Sequence, residues 1–162
     1  MLRCVDTSPR APTLTLPIGL FAACAAALAP ASAQAALGGD VDSVRRDHAA
    51  IHAADAVTTT PHYDVHDGIG AGGMRIREYV DRGGKVFAVR WRGPHSPDLN
   101  NLLGIYAARY VAMAHAHRGA HHVLVIADRD LSVSVLRLPR GWQGQASLPQ
   151  ALPPGVSGAE IR

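Results

Sequence analysis

Beyond residue 24 the chain has no cysteine: Cys4 and Cys24 are the only two. That excludes disulfides, a cysteine nucleophile and thiolate metal ligation from the rest of the chain. An ordinary apolar core must hold it together, and a 162-residue chain can bury roughly two-thirds of its unfolded surface in one domain. Lysine is nearly absent too. Lys85 stands alone, and the other basic side chains are arginines, suited to planar anions and aromatic faces. No long basic run occurs, which argues against nucleic acid as a partner. There is no G-x-S-x-G, and no serine has the neighbours of a catalytic triad. Asp64, Asp67, Glu78 and Asp98 are present, but nothing in their spacing sets two carboxylates across a cleft. Asp128 and Asp130 flank Arg129 as a turn would, with too few oxygens for a calcium loop. No catalytic residue and no cofactor are assigned.

Charge is missing from Ala11 to Gly39. Arg3 and Arg10 precede this segment, Ile18 to Ala29 forms its apolar centre, and small residues follow Pro30. That order is the pattern of a secretory signal peptide. Ala31-Ser32-Ala33 and Ala33-Gln34-Ala35 both fit the cleavage rule, so the mature chain is expected to start at Gln34 or Ala36. A spanning helix needs about 20 strongly apolar residues; this run is shorter and is interrupted by Pro17 and Pro30, so no transmembrane segment is expected after cleavage. Cys24 sits near a lipoprotein position, yet Phe21 fits poorly three residues before it. The expected organisation is a signal peptide over 1–35 and one domain over 36–162, with the periplasm or the medium as location. Setting aside Arg3, Arg10 and Asp6 leaves 14 Lys+Arg against 12 Asp+Glu, a net of +2.

Periodicity predicts a helix over 40–56, where Val41, Val44, His48, Ile51 and Ala54 recur at helical spacing. Strands are predicted over 62–67, 74–80 and 85–92, the last two joined by a tight hairpin at Asp81-Arg82-Gly83-Gly84. Placing Val80 opposite Lys85 puts Met74, Ile76 and Glu78 on one face with Phe87, Val89 and Trp91. A second helix starts with Ser96 as N-cap, carries Leu99, Leu102, Leu103, Tyr106, Tyr110 and Met113 on one stripe, and stops at Gly119. Two further strands follow, 122–127 and 131–138, the first apolar on both faces and so expected at the sheet centre. The tail from Pro139 is expected to be irregular. The sum is an α+β fold: an N-terminal helix, then β-β-β-α-β-β forming an antiparallel sheet of about five strands, with the long helix packed on one face.

Three constellations invite a functional reading. Gly68, Gly70 and Gly73 spell G-x-G-x-x-G, the spacing that cradles a pyrophosphate, but period-two residues follow and no helix does, so a hairpin loop is expected. Arg75, Arg77, Arg90 and Arg92 fall on one sheet face with Tyr79, an anion-binding or acidic-glycan surface in outline. On symmetric closure of the glycine loop, Asp64 and His66 face Arg77 and Arg75, which would instead make a solvated mixed-charge face. The third is histidine: His48 and His52 at i, i+4, and the cluster His115, His117, His121 and His122, which together could ligate a metal.

Three segments carry a resemblance: ALGG (36–39), REYVDRGGKVFAVRWRGPHSPDLNNLLGIYAARYV (77–111) and LPPGVSGAEIR (152–162). They resemble a family of small exported proteobacterial proteins known only as a domain of unknown function. The resemblance implies an envelope or secreted location and brings no reaction, ligand or catalytic residue. The function expected is a non-enzymatic binding or accessory module of the cell envelope, partnered by an envelope component or another exported protein. The alternative is a metal-dependent hydrolase using histidine and carboxylate ligands.

Overall fold

The computed structural model describes residues 37–50, 53–70, 72–116 and 123–161. The expected signal peptide and both cleavage sites lie outside the described residues, as do His52, His117, His121 and His122. No described helix is long and apolar enough to cross a membrane.

The fold is mostly sheet, which overturns the five-stranded α+β expectation. Seven strands form one antiparallel sheet: β1 (Ala56–Thr59), β2 (Tyr63–Ile69), β3 (Arg75–Asp81), β4 (Val86–Gly93), β5 (Val123–Ala127), β6 (Ser132–Leu138) and β7 (Gly141–Ser147). Their order across the sheet is β1-β2-β3-β4-β7-β6-β5. Two strands were not expected. β1 extends the hairpin run at one edge. β7 comes from the tail expected to be irregular and lies inside the sheet, bonded to both β4 and β6. Its inward positions are Trp142, Gly144 and Ala146, too small on average to give an alternating apolar signal. The Trp91 indole explains the glycine: a Cβ on Gly144 would sit 2.4 Å from Trp91 Cζ2.

The helical segments are also shorter than expected. α1 (Val41–Ala50) ends before β1 begins. The second stretch is α2 (Leu99–Leu103), a 3-10 turn (Gly104–Tyr106) and α3 (Ala107–Ala116), rather than one long helix. Its N-cap is Asp98, not Ser96: the Asp98 carboxylate accepts from Asn100 N at 2.9 Å and Asn101 N at 3.4 Å. Gly104, with φ 51°, breaks the regular turn. Arg109 on α3 reaches Asp128 and Asp130 in the β5–β6 turn and ties the helix to that hairpin.

The β3–β4 register keeps the expected faces but shifts by two residues. Arg75 pairs with Arg92, Ile76 with Trp91, Arg77 with Arg90 and Glu78 with Val89. The turn runs through Gly84 at φ 78° and closes with Asp81 N donating to Lys85 O at 2.9 Å. Because Tyr79 pairs with Ala88 but Val80 with Val86, Phe87 is an extra residue, a β-bulge. The bulge turns Phe87 out of the expected Val89/Trp91 face. It packs instead with Tyr63 and Tyr79, at ring-centroid distances of 5.7 and 6.2 Å, beneath Leu152 and Ile161 from the C-terminal segment.

The main core therefore lies on the opposite face. Val89 and Trp91 of β4, Val133 and Val135 of β6, Ala146 of β7 and Ile126 of β5 meet Leu102, Leu103 and Ala107. Beside it Val44 of α1 packs on Val80 and Val86. β5 is an edge strand, not a central one: Val123 is 48% and Val125 56% exposed, while Ile126 is buried.

Candidate functional site

Strand pairing lines up side chains in rows across the sheet, because directly paired residues share a face. One row on the face away from the helices runs Asp67, Arg77, Arg90, Gln145, Ser134 and Val125. The next runs Ile69, Arg75, Arg92, Gln143, Leu136 and Val123. Four arginines thus stand in a rectangle on β3 and β4, around a shallow depression of about 350 Å³. Like charges paired across strands repel, so the arrangement needs an acceptor. Asp67 supplies one. Arg75 donates to it from Nε at 2.7 Å and from Nη2 at 2.5 Å, and Arg77 donates from Nε at 2.9 Å. Arg75 first, with Arg77 adding, holds the Asp67 carboxyl below its ordinary pKa against the opposing effect of partial burial. The guanidinium groups of Arg90 and Arg92 have no ion-pair or hydrogen-bond partner among the described residues.

Of the residues expected at this surface, Arg75, Arg77, Arg90 and Arg92 come together and Tyr79 does not. Tyr79 is 2% exposed, packed in the Tyr63–Phe87 cluster under the C-terminal segment. The compensating carboxylate is Asp67, not Asp64. β2 pairs with β3 so that Asp67 faces Arg77 and Asp64 faces Val80, and Asp64 meets Arg82 at 3.0 Å instead. Asymmetric closure of the glycine loop causes the shift: Ile69 pairs directly with Arg75, and Gly70 N donates to Met74 O at 2.9 Å. The glycine run joins two strands, as expected from the alternation after it.

A second opening lies at the end of the sheet. The β2–β3 hairpin (Ile69, Gly73, Arg75) and the β6–β7 turn (Leu138 to Trp142) rise on either side of the β4 exit (Arg92, Gly93), enclosing a cleft of about 610 Å³. Arg137 lies over the Trp142 ring at 5.4 Å from its centroid, a cation–π contact. Sequence reasoning missed Arg140 and Trp142 because they sit in the tail read as irregular, and passed over Arg137 near the end of the strand expected over 131–138. The one usable signal was the Leu138-Pro139-Arg140-Gly141 turn, whose glycine closes a hairpin.

The histidines resolve differently. His48 of α1, His66 of β2 and Glu78 of β3 are buried on the helix side of the sheet, and the exposed Asp55 contacts both imidazoles. His66 Nδ1 donates to Asp55 Oδ2 at 2.9 Å, and His48 Nδ1 lies 3.2 Å from Asp55 Oδ1. His48 Nε2 lies 3.3 Å from Glu78 Oε2. Contact with Glu78 is the main reason the His48 pKa is raised; burial opposes it, and the charges of Glu78 and Asp55 add to it. Gly68 makes room for the ring, since a Cβ there would come within 2.9 Å of His48 Nε2. His115 is exposed at the end of α3, away from this cluster. Among the described residues no three His, Cys, Asp or Glu side chains are arranged to hold a metal ion. Asp55, His66 and Glu78 were not singled out as partners of His48. Chain reversals bring them together, and no local spacing announces them.

Three comparisons stand beside this geometry. A family profile described as a protein of unknown function matches residues 33–161. No curated protein matches the chain. No solved structure matches it.

Proposed function

Since the chain belongs to the family DUF2844, whose description assigns no activity, we propose a function from the site itself: an exported, non-enzymatic binding module of the cell envelope whose arginine face holds an anionic envelope component. One observation carries the reading. Four guanidinium groups share one face with one carboxylate among the described residues there, Asp67, and the Arg90 and Arg92 guanidinium groups have no partner among those residues. Guanidinium forks in that setting match carboxylates, sulfates and phosphates, and the shallow shape suits a surface-binding partner more than an enclosed substrate. Export is supported by the uncharged Ala11–Gly39 segment and its two A-x-A sites. The hydrolase reading would need its histidines and carboxylates within reach of substrate, and His48, His66 and Glu78 are closed off by α1 and the sheet.

The test uses immobilised dextran sulfate as polyanion and plain dextran as control. The mature chain is expected to be retained only on the sulfated matrix, to elute with rising salt, and to lose retention as the double variant Arg90→Glu/Arg92→Glu. Equal retention of that folded variant would contradict the reading. Fractionation with N-terminal sequencing tests the location: the expected result is an extracytoplasmic chain starting at Gln34 or Ala36, and a cytoplasmic chain starting at Met1 contradicts it.

A further inference from the structure

An antiparallel sheet puts its turns at two ends, and here the ends differ in charge. The β3–β4 and β5–β6 turns, at one end, carry Asp81, Asp128 and Asp130 among mixed charges. The β2–β3 and β6–β7 turns, at the other, carry no carboxylate. Three carboxylates stand toward that second end, and each is engaged. Arg75 and Arg77 bind Asp67, His48 and His66 contact Asp55, and Asp98 caps α2. The cleft of about 610 Å³ between these turns is lined by Arg75, Arg92 and Arg140 together with Ile69, Leu138 and Pro139. The guanidinium groups of Arg92 and Arg140 have no ion-pair or hydrogen-bond partner among the described residues.

The apolar members stand beside the cations. Strand pairing sets Ile69 next to Arg75 and Arg75 next to Arg92, all on the arginine face. Leu138 pairs with Gly141, two residues beyond the Arg92 partner Gln143, so it falls on that face one step further out. No charged residue lies between Ile69 and Arg75 in the chain. Ile69 is 60% exposed, and a Cβ built on Gly72 or Gly73 would meet no described atom within 4 Å, so the β2–β3 tip stands clear of its surroundings. Pro139 and Arg140 are exposed too. A soluble polyanion would satisfy the arginines and leave Ile69, Leu138 and Pro139 in water. A bilayer containing anionic lipids offers a phosphate layer with hydrocarbon directly beneath it. Arginine suits that boundary, because its stem lies along apolar surface while the guanidinium stays with the phosphates.

We infer that this end of the sheet docks on the surface of an anionic lipid bilayer, with lipid phosphates held by Arg92 and Arg140 and Ile69 of the β2–β3 hairpin entering the boundary between headgroups and acyl chains. This rests on the arginine face being an anion-binding surface, and it names the anionic component as a membrane lipid.

The probes are vesicles of phosphatidylcholine alone, vesicles of phosphatidylcholine and phosphatidylglycerol in roughly equal parts, and free glycerol phosphate. Protein spanning residues 36–162 is expected to co-sediment with the mixed vesicles, to bind phosphatidylcholine at least about tenfold more weakly, and to resist displacement by glycerol phosphate at equal phosphate concentration. Ile69→Ser alters an exposed side chain, so the thermal midpoint and dextran sulfate retention should hold while vesicle affinity falls about tenfold. Arg140→Gln should weaken vesicle binding about fivefold. Because residues 36–162 contain no cysteine, Ile69→Cys accepts a single environment-sensitive fluorophore. Its emission should shift to the blue on mixed vesicles. The same label on Val57→Cys, 52% exposed on the helix side of the sheet, should not shift. The inference is overturned if the mixed vesicles are not bound, if phosphatidylcholine binds as well, or if glycerol phosphate displaces them. It is equally overturned if Ile69→Ser or Arg140→Gln leaves affinity unchanged, if the Ile69 label does not shift, or if the Val57 label shifts as far. Should dextran sulfate retention persist in any of those cases, the membrane assignment alone fails. Loss of that retention in the unaltered chain would remove the arginine-face reading as well.

Discussion

At the scale of single residues, the cluster around His48 has the clearest consequence. Its imidazole meets Asp55 from the segment after α1 and Glu78 from β3, and Asp55 in turn binds His66 of β2. Two carboxylates face two imidazoles, and the proton on His48 is favoured by the folded state. A pKa raised on folding adds stability that is fully present below the unfolded value of about 6.5 and disappears as pH rises through the folded value. Chemical denaturation from pH 6 to 9 should therefore show stability falling with pH, and the slope should flatten in His48→Gln even if that variant is weaker throughout. An equal slope in both would assign the dependence elsewhere. Trp91 gives a second test, of packing. It is 1% exposed and lies across Gly144. Trp91→Ala should cost about 3–5 kcal/mol and lower the thermal midpoint accordingly; an unchanged midpoint would contradict the core described here.

At the scale of elements, strands with alternating residues were readable and those without were not. β3 and β4 carry Ile76, Glu78, Val89 and Trp91 against Arg75, Arg77, Arg90 and Arg92, and their faces follow from period two alone. The bulge at Phe87 could not be read, because one inserted residue leaves no mark in composition while moving a large ring to the other face. β7 was hidden by its own packing: Gly144 is small because Trp91 occupies the space above it. β5 misled in the opposite direction. Val123, Leu124, Val125 and Ile126 look like a buried strand, yet β5 borders the sheet and only its inward residues are covered. The edge assignment predicts a contrast between neighbours. Ile126→Ala should cost about 2–5 kcal/mol, whereas Val125→Thr should change stability by no more than about 0.5 kcal/mol. Equal and large losses in thermal denaturation would return β5 to the interior.

At the scale of the whole molecule, the sheet divides two tasks between its faces. One side carries the core beneath α2 and α3 and the buried histidine cluster beneath α1. The other is covered at one end by Leu152 and Ile161 over the aromatic rings, and presents the arginine rows beyond. The candidate surface was legible as four arginines on one face; its partner carboxylate was not, because that required the true closure of the glycine loop. The adjoining cleft was invisible, since it depends on two hairpins that flank β4 only after β7 enters between β4 and β6.

The most direct test of that division is a titration of isotopically labelled protein spanning residues 36–162 with a short dextran sulfate, following the Nε–H resonances of the arginines and the backbone amides by NMR. The account predicts saturable shifts at Arg75, Arg77, Arg90 and Arg92 and in the β3 and β4 amides beside them, with α1 and β1 unmoved. Shifts confined to the helix-bearing side, or none at the four arginines, would contradict it.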